Sequence, residues 1–213
     1  GGFGVGDVKY IESSSDADVR SALWDKDCEA VVIPPLHDIP DFGPNAVKDF
    51  QAYVSQGFKN HGTVLFLGSS VEVHLMNKMF GYELQQDFKP GPYYKSDRHT
   101  MGTALAGLPE RVNELGNTES LGILKSSIPP EGLSFYDSFG DSVAMCARYN
   151  LGRVCYLAQD FHPLQDMPQL QVEMENGSDE EAAEAERRLE ALGRRTDTWL
   201  AMFQSMLTNP NAE

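Results

Sequence analysis

Cysteine is scarce in this chain. Cys28, Cys146 and Cys155 are the only three in 213 residues, and no two form a CxxC pair. Three cannot make a disulfide framework without leaving one over. Cys146 and Cys155 lie inside the apolar runs AMCARY and RVCYLA, where buried free thiols are expected. A reducing compartment fits that expectation. Cations are scarce too: 17 Lys and Arg stand against 32 Asp and Glu, for a formal net charge of −15. Nucleic acid and anionic membrane surfaces both need clustered Lys and Arg, so the balance argues against either partner. A basic protein or a cation stays open as a partner, beside plain solvation of an acidic surface. No apolar run approaches the roughly 20 residues that cross a bilayer. No signal peptide or Arg-rich transit segment is visible at the GGFGVGD start. Those glycines have the wrong spacing for a dinucleotide fingerprint, and no strand precedes them. The expected setting is soluble, cytoplasmic or organellar after removal of a targeting segment.

What remains is ordinary globular material, with 41% hydrophobic and 23% charged residues. The length suits one large domain, or a domain with an appendage. Residues 29–33, EAVVI, read as a buried strand stopped by Pro34 and Pro35. GPNAVKDFQAYVSQG follows, with Pro44 in a first helical turn and Val47, Phe50 and Val54 on one face. Gly57 suits the cap. GTVLFLG at 62–68 is a second continuous apolar strand. Ser69 or Ser70 can cap the next helix, which carries Leu75, Met76, Met79 and Phe80 up to Gly81. Upstream, DVKYIESS and DADVRSALWD read as a further strand and helix. Strands without polar alternation need cover on both faces, which implies a parallel sheet between helices.

From Gly81 to Gly140 the chain is rich in turn residues, with short strands expected in LGILKSSIPP and LSFYDS. SVAMCARYN and GRVCYLAQ read as a hairpin about Asn150-Leu151-Gly152. The expected fold class is therefore α/β: a three-layer sandwich with a mostly parallel central sheet, an antiparallel extension in the second half, and a C-terminal helix. The expected organisation is a domain over 1–170, a linker over 171–177 and an amphipathic helix over 178–213. Ser178 and Glu181 form a capping box. Leu189, Leu192, Thr196, Trp199, Phe203 and Met206 repeat at steps of three and four. That stripe either folds back on the domain or binds a protein partner. The partner-binding candidates are Leu189, Leu192, Trp199, Phe203 and Met206.

The order EAVVIPP, GTVLFLGSSVEVHLMNKMFG and GRVCYLAQDFHP resembles the class I glutamine amidotransferase-like superfamily over about residues 8–165. The resemblance implies a flavodoxin-like sheet. It also implies a thiol on a strained turn after the strand, typically Gly-x-Cys-x-Gly, with helix amides stabilising an oxyanion. A later histidine would take the proton, oriented by a carboxylate two residues on. In this chain the turn reads Phe66-Leu67-Gly68-Ser69-Ser70, and Gly68 stands where the Cys belongs. A register slip of one puts Ser69 there without flanking glycines. Phe161-His162-Pro163 matches the family's Phe-His-Pro, and Leu164 replaces the orienting carboxylate. The chain is most similar to diverged members, such as trehalose-utilisation-like domains and the amidotransferase-like domain of intraflagellar transport proteins.

The expected function is a non-catalytic interaction or assembly subunit, whose C-terminal helix docks on a protein. Two alternatives stay open. One is a hydrolase or amidotransferase-like enzyme using Ser69 or Ser70 with His162. The other is a small-ligand module at the strand end, where free amides at Gly68, Ser69 and Ser70 could hold an anion. His37, Asp38 and His162 follow strands on one sheet edge, but no ligand spacing supports a metal. Asp97-Arg98-His99 lies in a polar loop that could reach the site. No cofactor is expected.

Overall fold

The structure, a computed structural model, describes residues 8–11, 13–56, 62–113, 121–161 and 167–207. The fold is α/β. In chain order the elements are helix α1 (Asp16–Leu23), strand β1 (Ala30–Ile33), helix α2 (Pro44–Gln56), strand β2 (Thr63–Leu67) and helix α3 (Ser70–Phe80). Strands β3 (Gln86–Phe88) and β4 (Tyr93–Lys95), helix α4 (Asp97–Thr100), and strands β5 (Arg111–Val112) and β6 (Leu121–Leu124) follow. A short 3₁₀ turn then leads to strands β7 (Leu133–Ser138), β8 (Asp141–Tyr149) and β9 (Gly152–Leu157). Helices α5 (Met167–Asn176) and α6 (Asp179–Leu207) end the described chain.

One nine-stranded sheet runs β1-β2-β9-β8-β7-β4-β5, with β3 and β6 joined to the start of β8. The pairs β1–β2 and β2–β9 are parallel. The other six pairs are antiparallel, so the extension built by the second half is larger than the parallel part. All five residues of β2 are buried, which a strand covered on both faces requires. Phe66 meets Phe80 of α3 edge-on at 6.3 Å between ring centroids. Helices α2 and α3 pack on each other, α2 also on β9 and α3 on β2, as right-handed crossovers on one face would place them. The C-terminal helix α6 also packs on β2.

Several expectations meet a different arrangement. Residues 8–11 form no strand: Val8, Tyr10 and Ile11 are exposed, and β1 is the sheet's edge. Residues 171–176, expected to link, are helical within α5, which packs along α6. The thiol expectation is corrected as well. Tyr149 pairs with Gly152, so the loop of the β8–β9 hairpin is the two residues Asn150 and Leu151. That register sets Cys146 directly opposite Cys155, and the two are joined in a disulfide. Cys28 is a free thiol. The expected cap Gly57 lies outside the described residues.

The apolar stripe of α6 belongs largely to the chain's own core. Trp199, Met202 and Met206 are fully buried, and Leu192 and Phe203 pack against the same cluster. The Trp199 ring meets Tyr93 edge-on at 5.8 Å, and its Nε1–H donates to the Asn113 carbonyl at 2.9 Å. This corrects Trp199 and Met206 as partner-binding residues: the faces that would meet a partner are already covered. Leu189, nearer the helix start, is half-buried.

Candidate functional site

The turn between β2 and α3 lies at the carboxyl end of the parallel strands, where open α/β sheets commonly bind ligands. Gly68 turns the chain there with φ +114°, a conformation that side chains rarely adopt. A Cβ at Gly68 would lie 3.2 Å from Pro35 Cβ and 3.3 Å from its Cγ. The sharp turn expected to carry a nucleophile is therefore present, and the position that would carry it has neither a side chain nor open room for one.

Ser69 is the helix cap, not Ser70. Its backbone is extended, and its hydroxyl accepts the Val71 N–H at 3.4 Å. The same hydroxyl donates to Glu72 Oε2 at 2.9 Å, and the Ser69 N–H donates to that oxygen at 2.6 Å. The other carboxylate oxygen, Oε1, accepts the Leu36 N–H at 2.7 Å from the loop after β1. Glu72 is fully buried. A buried carboxylate is stable only when its oxygens are hydrogen-bonded, and three donors meet this one.

Glu72 therefore occupies the place an anion would take. The Ser69 amide, expected to be free, is held by it, and the Gly68 N–H donates to the Leu157 carbonyl at 3.0 Å. The expectation of free amides is corrected at Ser69 and Gly68: one is spent on the chain's own carboxylate and one on the sheet. Glu72 is the residue that sequence reasoning missed. Its signal was Ser69-Ser70-Val71-Glu72, a capping-box spacing.

A second lock closes the strand end. The Tyr156 hydroxyl on β9 lies 2.8 Å from the Gly68 carbonyl and 2.9 Å from the Leu121 carbonyl of β6. Burial first, then the Glu72 charge and then Tyr93, push this phenol far above its usual range. Tyr156 therefore stays a neutral donor. The β3–β6 ribbon is thereby tied across the carboxyl ends of β2 and β9.

The remaining candidates scatter. His162 lies outside the described residues, as do Pro163 and Leu164. The preceding Phe161 is described: it has φ +55°, and its ring meets Phe203 of α6 edge-on at 6.3 Å. Ser70 is exposed as the first residue of α3. His37 and Asp38 are exposed, and among the described residues no three His, Cys, Asp or Glu side chains gather as a metal group. His99 does not reach the strand-end turn. Its Nδ1 lies 2.9 Å from the Ser134 carbonyl on β7, and α4 packs on that strand. A recess of about 550 Å³ beside α1 is lined by Lys9, Tyr10, Asp18 and Asp25 among others, none of them from the turn.

No family model matches the chain, and no curated protein does. Solved structures to which the chain is similar include an exo-β-1,4-mannosidase from an Opitutaceae bacterium, 16% identical over 84% of this chain and 26% of that one, with a TM-score of 0.43. This chain spans about a quarter of the mannosidase's length. Two cytoplasmic proteins from Salmonella typhimurium are also similar. STM3548 is 12% identical over 89% of this chain and 76% of its own, at a TM-score of 0.44. STM1381 is 14% identical over 78% and 71%, at 0.41. At these scores the likenesses bear on neither family nor function.

Proposed function

We propose that this chain is a non-catalytic member of the class I glutamine amidotransferase-like superfamily, working as a protein-interaction or assembly subunit. The observation that supports the reading most is the turn after Leu67. Its left-handed residue is Gly68, pressed on Pro35, and its neighbouring amide is bound to Glu72. Acyl transfer needs an attacking group at the turn and unoccupied donors aimed at the developing oxyanion. Here position 68 has no side chain to attack with, and the Gly68 and Ser69 amides are already bound. The partner surface is the outward side of the α5–α6 pair. Val172 and Met174 of α5 and Leu200 of α6 are exposed, and the inner face of α6 is filled by the core.

Two measurements test the two halves. A fluorophosphonate and an electrophilic glutamine analogue, each read by intact mass, should leave the native protein unmodified. An adduct that disappears in Ser69→Ala or Ser70→Ala would establish the hydrolase reading instead. Size-exclusion chromatography of native extract should place the protein in a complex. Paired substitutions Val172→Asp and Met174→Asp should release it, and elution as a free chain before any substitution would refute the assembly half.

A further inference from the structure

We propose that Asn176 is an N-glycan acceptor and that the chain matures in an oxidising, glycosylating compartment. Two unrelated features carry this. The first is the Cys146–Cys155 bond between paired strands. Disulfides form and persist in secretory and other oxidising spaces and are rare in the cytosol. The leftover thiol is compatible with such a space: Cys28 is half-buried, and burial pushes its thiol above the usual range, which keeps the reactive thiolate scarce.

The second feature is the triplet Asn176-Gly177-Ser178. It matches the N-x-S acceptor pattern, with x other than proline, and it is the one such triplet in the sequence. Helix chemistry alone also suits these residues. Asn176 ends α5, Gly177 turns the chain, and Ser178 caps α6: its hydroxyl accepts the Glu181 N–H at 3.5 Å and its own N–H donates to Glu181 Oε2 at 2.9 Å. What placement adds is access. All three residues are exposed at the link between α5 and α6, about 30 Å along α6 from the buried Trp199. A bulky glycan there would meet solvent and leave the packed end of the helix untouched.

The chemistry balances with external partners of stated class. The Asn176 side-chain nitrogen attacks the anomeric carbon of an oligosaccharide carried on a lipid diphosphate. A C–N bond forms, the sugar–phosphate bond breaks, the amide gives up one proton, and the lipid diphosphate leaves with the electron pair. The two thiols lose two protons and two electrons to the disulfide of a thiol–disulfide oxidoreductase.

The test uses protein isolated from the cells that make it, digested without reduction and treated with peptide N-glycosidase in heavy-oxygen water. The expected result is Asn176 recovered as heavy-oxygen Asp only where the glycosidase is added and as a glycopeptide where it is left out, with Cys146 and Cys155 in one linked peptide pair. Unmodified Asn176, or free thiols at both cysteines, would overturn the proposal. Two variants made in the same cells separate the acceptor from the cap. Ser178→Asp keeps an N-cap side chain and destroys the triplet, whereas Ser178→Thr keeps both. The glycan should be lost in the first and retained in the second, at equal helix content. Modification that survives Ser178→Asp, or vanishes in Ser178→Thr, would also overturn it.

Discussion

Position 68 is set by two constraints at once, a left-handed φ and the flank of Pro35. Gly81 shares only the first: its φ is +71°, and nothing lies within 4 Å of an added Cβ. Gly68→Ala should therefore cost about 2–3 kcal/mol, and Gly81→Ala about 1 kcal/mol. Urea midpoints of the two variants check the order, and equal costs would mean that Pro35 yields freely. Glu72 gives a second test at this scale. Glutamine keeps the shape but points an N–H₂ toward donors that now find oxygen. Glu72→Gln should therefore lose about 2–3 kcal/mol, nearly as much as Glu72→Ala. Equilibrium unfolding of both variants checks this, and a neutral Glu72→Gln would contradict the three-donor account. Part of this was legible beforehand. A glycine where a nucleophile belongs, and a serine able to cap, stand in the sequence. The Leu36 amide on Glu72 was not, because it depends on how the loop after β1 approaches α3 across 36 positions.

At the scale of elements, periodicity located α2, α3, β2 and α6 because each has one clear apolar pattern. It did not find β3, whose three residues are all exposed, or β5, only two residues long. Both are defined by their partners. The hairpin shows the same limit. Asn150-Leu151-Gly152 signalled a turn, but only the two-residue loop fixes a register that sets Cys146 against Cys155. For α6, the step of three and four showed that a stripe exists without showing what covers it. The answer predicts unequal substitutions along one helix. Trp199→Ala should cost about 3–5 kcal/mol, losing the Tyr93 contact and the bond to Asn113. Leu189→Ala should cost about 1 kcal/mol or less. Thermal unfolding of the pair checks it: a mild Trp199→Ala would mean that α6 is an appendage.

For the molecule as a whole, the elements converge on one arrangement. The parallel centre supplies a strand end of the kind that usually receives ligands. Glu72 holds the Ser69 amide, the Leu157 carbonyl takes the Gly68 amide, Tyr156 ties β6 across the turn, and α6 packs on β2. The chain that carries this centre has a net charge of −15. The central claim is that the turn after Leu67 grips its own carboxylate and reacts with nothing. It is tested most directly by assaying the purified protein for ammonia release from glutamine and for hydrolysis of activated esters, beside Ser69→Ala and Ser70→Ala. The account predicts that all three proteins match the uncatalysed background. Turnover by the unsubstituted protein that either serine substitution abolishes would contradict it.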